Sequence, residues 1–221
     1  MTKGYNMNVL FIGNSYTYYN DMPKIFEALA RENGYDVSVD SVTRGGRKLF
    51  ENLNEDDENH ALILSLLKEK EYDVLFIQEN STYPISSPEE FLFGACGVAN
   101  LISAKRTVLY QTWARENGSQ TLVTLNMTKE EMASALIVAY KTAAEEIGAE
   151  ISPVGEAFMK ISPLLQDCSL YAPDLTHPSY LGSAIAAIVH FKTVFAKMPN
   201  CYTAINLNCD TLDKVISILN R

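Results

Sequence analysis

The sequence has few of the side chains that metal sites and disulfide frameworks need. It contains four cysteines and three histidines in 221 residues, and no two cysteines show the C-x-x-C spacing of a zinc or redox site. Cys96, Cys168, Cys201 and Cys209 lie among apolar residues. This setting predicts buried free thiols rather than a disulfide or metal ligands, so we expect no metal in this protein.

Basic side chains are also in short supply. The 18 Lys and Arg residues are outnumbered by 27 Asp and Glu residues, which gives a formal net charge of −9. Nucleic-acid binding requires clustered Lys and Arg that neutralise phosphates, whereas here the basic residues are scattered along the chain. The composition therefore excludes nucleic acid as the expected partner.

Long apolar runs are missing as well. Each apolar segment is about half of the ~20 residues that a membrane-spanning helix needs. The first residues, MTKGYNMN, contain no apolar core of a signal peptide. We therefore expect no membrane partner, and a cytoplasmic protein unless a secretion signal has been removed from this chain.

Nothing along the chain resembles a linker. No Gly/Ser-rich or Pro-rich stretch, low-complexity tract or solenoid repeat interrupts it. The composition, 47% hydrophobic and 20% charged residues, is typical of a globular domain. We expect one domain over residues 1–221.

The chain does contain short apolar runs that alternate with amphipathic segments. The runs typical of strands are 8–12, 36–42, 74–77, 106–111 and 150–153. The segments with helical periodicity are 21–33, 57–70, 88–103, 128–147, 179–195 and 210–219. Thr128 and Glu131 fit a capping box at the start of segment 128–147, and Gly148 marks its end. Parallel strands need crossover connections that cover both faces of a sheet, so this order predicts a doubly wound, five-stranded α/β sheet. The period-two run 36–42 is expected near an edge.

The first candidate site is Ser15, in the turn that follows the first strand. A serine there lies at the carboxyl edge of the sheet, where open α/β sheets bind their ligands. The helix that follows has free amides at its N-terminus, which favour developing negative charge. The position suits a nucleophile, although Gly13–Thr17 is equally typical of an ordinary turn.

The second candidate is the pair formed by Asp174 and His177. A serine hydroxyl attacks efficiently when a base accepts its proton, and that base needs a carboxylate to hold its tautomer. Asp174 and His177 lie three residues apart in a turn before Pro178, so both side chains can face one side. The alternative is an Asp cap with an incidental exposed His. Of the other histidines, His190 is expected in the core and His60 at a helix start.

Possible oxyanion donors follow the second and third strands. Gly45 and Gly46 end the segment TRGG, where the lack of side chains lets backbone N–H groups approach a substrate. Gln78 and Asn80, in the segment QENS, offer amide N–H groups. Donors of either kind can bind the oxyanion of a tetrahedral intermediate. Each signal alone is more often structural than catalytic.

Aromatic residues are concentrated in the loops after the first, third and fourth strands, namely Tyr16, Tyr18, Tyr19, Tyr83 and Trp113. Tyr16 and Trp113 are candidates to line a pocket for an acyl group or a sugar, together with Gly45. The alternative is that these rings pack over the edge of the sheet.

The motifs in this order resemble those of the SGNH (GDSL-like) hydrolases. The segments GNSYT, GG, IQENS and DLTHPS carry the resemblance, which spans about residues 8–182 and is similar to a largely uncharacterised bacterial branch. Two departures stand out. The first block reads GNS where GDS is commoner, and the third lacks a clean G-x-N-D.

The resemblance implies a flavodoxin-like three-layer α/β/α fold and hydrolysis of esters without a metal or cofactor, often acetyl or short acyl esters on carbohydrates. It implies that Ser15 is the nucleophile and an oxyanion donor, Gly46 a second donor, His177 the base and Asp174 its orienting acid. For the third donor, Asn80 matches by residue type. Gln78 resembles the glutamine of some acetylesterases, and we prefer it slightly.

A rival hypothesis from another class is a flavodoxin-like binding module. A Ser/Thr-rich loop between a first strand and a helix N-terminus also holds the phosphate of a nucleotide cofactor. A module of that kind has no use for the late Asp174 and His177. The sequence therefore favours the esterase, with a small-molecule ester as its partner.

Overall fold

A parallel sheet forms the centre of the protein. The computed structural model describes residues 6–165 and 168–220, so the first five residues of the segment MTKGYNMN lie outside it. Within the described residues, the sheet has five strands in the order β2-β1-β3-β4-β5. The strands are β1 (Met7–Gly13), β2 (Val37–Thr43), β3 (Val74–Ile77), β4 (Arg106–Tyr110) and β5 (Glu150–Ser152). The expected strands are thus all confirmed, and β2 is the predicted edge.

Strand alternation divides the core into two halves. On β1, Val9 and Phe11 pack into one cluster of buried side chains, whereas Leu10 and Ile12 pack into a second cluster on the opposite face. Successive side chains of a strand point to opposite faces, and both faces of this sheet are covered. A strand buried on both sides reads as a continuous apolar run, which is why the central strands were visible in the sequence.

Helices form the two outer layers. On one side lie α2 (Met22–Glu32), α8 (Val154–Ile161), α9 (Tyr180–Phe195) and α10 (Cys209–Leu219). On the other side lie α3 (Glu58–Glu69), α5 (Pro88–Ile102) and α7 (Lys129–Ile147). The predicted three-layer α/β/α sandwich is confirmed.

The end signals of α7 act as the sequence predicts. The Thr128 hydroxyl accepts the N–H of Glu131 at 3.1 Å, and the Glu131 carboxylate accepts the N–H of Thr128 at 2.8 Å. These reciprocal bonds satisfy two N–H groups that the first helical turn leaves free. At the other end, Gly148 adopts φ +66°, the left-handed conformation in which glycine commonly ends a helix.

Several short helices escaped the sequence prediction. They are α1 (Ser15–Tyr18), α4 (Tyr83–Ser86), α6 (Gln120–Leu125) and α8. In α8, Val154, Phe158 and Ile161 are fully buried on one face, so its apolar spacing was a usable signal. The four-residue helices α1 and α4 are too short to show a period.

The cysteines differ from expectation. Cys96, Cys168 and Cys209 are exposed and Cys201 is partly exposed, all as free thiols. Cys96 lies on α5 beside the buried Ala95 and faces outward, because neighbouring positions on a helix point in different directions. Cys168 and Cys201 lie outside the helices, and Cys209 is the first residue of α10. No helix of the described residues has the length and apolar character that crossing a membrane requires.

Candidate active site

The turn after β1 holds Ser15 at the carboxyl edge of the sheet. Asn14 caps α1, accepting the N–H of Tyr16 at 3.2 Å, and its own amide donates to the Arg47 carbonyl at 2.9 Å. Ser15 is the first residue of α1, so its N–H has no partner within the helix. A Cβ on Gly13 would lie 2.5 Å from Thr17 Oγ1. The close approach of these side chains therefore requires glycine there.

A closed loop presents Asp174 and His177. The loop is pinned at its base by a bridge between Tyr171 and Pro178, and the Ala172 N–H donates to the His177 carbonyl at 2.8 Å. One oxygen of Asp174 accepts the backbone N–H of His177 at 2.9 Å. The other oxygen lies 2.5 Å from His177 Nδ1. The carboxylate therefore holds both the backbone and the ring of the histidine.

The loop brings the imidazole to the serine. His177 Nε2 lies 2.9 Å from Ser15 Oγ, although the two residues are 162 positions apart in the chain. Asp174, His177 and Ser15 thus form one continuous chain of hydrogen bonds. This is the geometry in which a base can take the hydroxyl proton while a carboxylate stabilises the imidazolium.

The pKa of Asp174 lies below its ordinary value. Partial burial alone would raise this pKa, but the hydrogen bonds from the His177 ring and from the N–H groups of His177 and Thr176 outweigh burial. Hydrogen bonds to a carboxylate favour its charged form. Asp174 is therefore an anion at neutral pH, as the orienting acid of a triad must be.

The glycine loop after β2 lies beside the serine. Gly46 has φ +70°, and a Cβ there would meet no heavy atom within 4 Å, so the strain of the left-handed backbone rather than crowding favours glycine. Among the described residues its N–H has no hydrogen-bond acceptor. Arg47, which follows, is buried and pairs with Asp57 at 2.6 Å, and this pair anchors the loop.

Gln78 supports the serine turn from the buried side. It is 1% exposed, and its Oε1 accepts both the Asn14 N–H and the Thr17 hydroxyl at 2.9 Å. Its Nε2 donates one N–H to the Glu79 carbonyl, which leaves a second N–H on the same nitrogen. The role of Gln78 as third oxyanion donor stays a prediction.

Asn80 is the second candidate amide donor. Its Nδ2 donates to the Gly46 carbonyl at 3.1 Å, which places the amide beside the glycine loop and leaves one of its two N–H bonds for another acceptor. The Thr82 hydroxyl donates to Asn80 Oδ1 at 3.3 Å. That contact orients the amide with its NH₂ toward Gly46.

Glu79 is a buried acid that the sequence analysis did not select. It is fully buried, and its carboxylate accepts the N–H of Leu49 at 3.2 Å and the N–H of Asn80. Burial raises the pKa of Glu79 to about 8, even though the two backbone N–H groups favour the charged form. Glu79 therefore links the segment after the glycine loop to Asn80. The sequence signal that could have identified Glu79 is an acidic residue inside the run IQENS.

Trp113 and Tyr16 lie beneath the site rather than in an open pocket. Trp113 is 0% exposed and Tyr16 3% exposed, and their rings stack in parallel at 4.4 Å. The indole N–H donates to the Thr176 carbonyl at 3.1 Å. This burial fits the alternative that the rings pack over the edge of the sheet, and their contact with substrate stays a prediction. A Cβ on Gly45 would lie 3.1 Å from Tyr18 Oη.

Tyr19 is a further residue at the site. Its ring lies parallel to the His177 imidazole, with centroids 4.2 Å apart and an angle of 9° between the planes. Tyr19 immediately follows α1, so the short helix that carries Ser15 also delivers this ring. The sequence placed it among loop aromatics, but its partner depends on the late loop.

The other two histidines lie away from the site. His190 is fully buried on α9 and bonds to the Ser152 hydroxyl at 2.7 Å, and burial lowers its pKa to about 3. His60 on α3 is buried against the Asn52 carbonyl at 2.9 Å. His177 is therefore the histidine that contacts Ser15.

Comparisons with known proteins give the following neighbours. No family model and no curated protein sequence matches the chain. A protein classed as an SGNH hydrolase, from Slackia heliotrinireducens, is 31% identical over 86% of this chain and 100% of its own, with a TM-score of 0.76. A DUF4886 family protein from Bacteroides uniformis has a TM-score of 0.82 at 17% identity, over 97% of this chain and 93% of that one.

A third solved structure is a variant of an acetyl-xylooligosaccharide esterase from Geobacillus. It has a TM-score of 0.62 at 18% identity, over 88% of this chain and 96% of its own. At that identity the likeness is one of fold.

Proposed function

Because the chain belongs to the SGNH (GDSL-like) hydrolases, we propose that it is a serine esterase that cleaves short acyl esters, acetyl esters foremost. The single observation that carries this proposal is the hydrogen-bonded chain from Asp174 through His177 to Ser15, with its 2.9 Å contact at the serine. If Ser15 lay in an ordinary turn and Asp174 were only a cap, nothing would require these two segments to be in contact.

In the first step, Ser15 Oγ forms a bond to the ester carbonyl carbon while its proton moves to His177 Nε2. The electron pair of the carbonyl moves to the oxygen, which becomes an oxyanion, and Asp174 stabilises the imidazolium. The tetrahedral intermediate then collapses. The bond to the alcohol oxygen breaks, and that oxygen receives the proton from His177.

In the second step, water releases the acid. His177 accepts a proton from water as its oxygen attacks the acyl carbon on Ser15. Collapse of this second intermediate breaks the bond to Oγ and returns the proton to the serine. No metal or cofactor takes part in these steps.

The oxyanion needs donors that point at it before the reaction begins. We assign the N–H of Ser15, the N–H of Gly46 and the Nδ2 of Asn80 to this role. The support is that the first two have no acceptor within their own turns, and that Asn80 already contacts the Gly46 carbonyl. Gln78 serves as a brace for the serine turn.

The acyl group and the alcohol are proposed from the relatives. An acetyl-xylooligosaccharide esterase shares the fold, which is consistent with acetyl esters on carbohydrates. We propose the same substrate class here, with the aromatic rings Tyr16 and Trp113 supporting the site from below.

The test is Ser15→Ala assayed with 4-nitrophenyl acetate. We expect turnover to vanish while the circular dichroism spectrum and melting temperature remain those of the parent, because the hydroxyl is small and lies at the edge of the core. A fluorophosphonate probe should label the parent and not the variant. Parent-like turnover by Ser15→Ala would rule out the mechanism.

No observation favours the phosphate-binding alternative. The Ser15 hydroxyl is bonded to an imidazole and the loop carries an Asp anion beside it, which repels a phosphate. A nucleotide cofactor such as a flavin would colour the purified protein yellow, so an absorption spectrum separates the two hypotheses.

A further inference from the structure

A polar cavity lies beside the candidate active site. It has a volume of about 370 Å³. Its polar lining consists of hydroxyls, an amide and a guanidinium, from Thr82, Ser86, Arg115, Gln120, Thr121 and Thr124. Such a lining suits a hydrophilic ligand. Among the described residues that line it, Arg115 alone is charged.

Two of the lining side chains connect the cavity to residues of the proposed site. Thr82 lines it, and the hydroxyl of Thr82 donates to Asn80 Oδ1 at 3.3 Å. Arg115 also lines it, and its guanidinium lies 5.2 Å from the centre of the ring of Tyr16, which follows Ser15 in the chain. A ligand in this cavity would therefore be separated from Asn80 by Thr82, and from Ser15 by Arg115 and Tyr16.

Arg115 has unused donors. It is only 9% exposed, and its Nη2 donates to the Ser81 hydroxyl at 2.7 Å. Its Nε and Nη1 are buried and have no hydrogen-bond partner among the residues that the structure describes. A guanidinium has one N–H on Nε and two on Nη1, so most of the donors of this side chain await an acceptor.

A buried cation without a counter-ion is costly. Burial lowers the pKa of Arg115 to about 10, and the nearby negative charge of Asp174 opposes that effect only in part. Arg115 forms no ion pair with any residue described in the structure. Burying a charge is tolerated when a partner compensates it, and an anionic ligand would supply the compensation that Asp174 gives only in part.

We propose that this cavity binds a carboxylate carried by the ester substrate and that Arg115 recognises it. The proposal rests on the proposed esterase function, since it concerns the substrate of the same site. A carboxylate matches the site because guanidinium binds carboxylates through paired, charge-assisted hydrogen bonds. A neutral hydroxyl would satisfy one donor but leave the charge uncompensated.

Two pairs of esters test this, one for each side of the scissile bond. On the acyl side, mono-4-nitrophenyl succinate is compared with 4-nitrophenyl butyrate; on the alcohol side, 4-acetoxybenzoate is compared with phenyl acetate. The ratio of kcat/KM for the anionic ester to that for the neutral ester is measured after correction for the uncatalysed rates. We expect at least one pair to favour the anionic ester by about tenfold or more, the size of effect of a hydrogen-bonded charge.

Arg115→Gln should lower that ratio by about 10- to 100-fold, whereas Arg115→Lys should retain part of the preference. Lys141→Gln is the matched control, because it removes the same charge from an exposed position on α7 and should leave the ratio unchanged. No preference in either pair, or an equal ratio in the parent and Arg115→Gln, would overturn the proposal.

A second variant covers the case in which Arg115→Gln fails to fold. Thr121→Phe fills the cavity from the α6 side while keeping the guanidinium, and should abolish the anionic preference. Binding of benzoate and succinate to Ser15→Ala is then measured by calorimetry. Carboxylate binding that Thr121→Phe removes would uphold the cavity even if Ser15→Ala retained turnover and the esterase mechanism failed. If carboxylates do not bind and neither ester pair shows a preference for the anionic ester, the proposed carboxylate site is refuted. That result leaves the proposed esterase mechanism unaffected.

Discussion

At the scale of single residues, the late histidine depends on more than its carboxylate. The Tyr19 ring covers one face of the His177 imidazole at 4.2 Å. The electron-rich face of an aromatic ring attracts a cation, so this contact would favour the imidazolium that the proposed mechanism forms. We propose that Tyr19 acts through His177 as a positioning residue.

Tyr19→Ala is expected to lower kcat by about tenfold with little change in KM, since the lost attraction operates when His177 is charged. Tyr19→Phe keeps the ring and is the control, expected to retain kcat within about threefold. Steady-state kinetics on 4-nitrophenyl acetate measure both. A rise in KM with unchanged kcat would show that Tyr19 contacts substrate instead.

The amide residues after β3 have separable roles. Asn80→Ala should lower kcat by about 10²–10³, as loss of one oxyanion donor does in other enzymes, and should leave the melting temperature close to that of the parent. Gln78→Ala should instead destabilise the protein by about 1–3 kcal/mol, because two buried donors lose their acceptor. Kinetics and urea unfolding of both variants are the measurements. Full activity in Asn80→Ala would remove that residue from the oxyanion hole.

At the scale of elements, three neighbouring strands of the central sheet are each followed by one part of the proposed site. The turn after β1 carries Ser15, the loop after β2 carries Gly46, and the loop after β3 carries Asn80. The carboxyl ends of neighbouring parallel strands lie at one edge of the sheet. These three parts therefore come close together once the sheet has formed. Glu79 then ties two of them together through backbone N–H groups.

Glu79 makes stability depend on pH. Its pKa is about 8 in the folded protein against 4.5 ordinarily, so above pH 4.5 the unfolded chain loses this proton first. The free energy of unfolding is therefore greatest below pH 4.5, and it decreases as the pH rises from 4.5 through about 8. The loss is on the order of 4 kcal/mol across the full range.

Glu79→Gln removes this titration. Urea unfolding between pH 5 and pH 9 should show a smaller decline for the variant than for the parent, with the difference levelling off above about pH 8. Lys48, Glu51 and Tyr140 are the other titratable groups close to Glu79. Substitution of each of them in turn is the control for its own contribution to the pH dependence of unfolding. Parallel pH curves for the parent and Glu79→Gln would contradict the shift.

At the scale of the whole molecule, the fold could be predicted and much of the site could not. Local apolar periodicity predicts the strands and the long helices, and this periodicity can be read directly from the sequence. The four-residue helices α1 and α4 are too short to show a period, and the burial of Trp113 depends on packing against distant segments. The exposure of Cys96, Cys168 and Cys209 was not predicted, since apolar neighbours in sequence do not decide which way one side chain points.

The sequence by itself determined the α/β order, the edge strand, the helix caps of α7 and the residue types from which a triad can be built. Only the tertiary structure decided that His177 meets Ser15 across 162 positions, that Gln78 Oε1 accepts bonds from the serine turn while Asn80 contacts the glycine loop, and that Arg115 is buried without an ion pair among the described residues. The physical reason is that hydrogen-bond partners and burial are properties of contacts between distant segments. Local patterns specify the segments, and their packing specifies which polar atoms remain free.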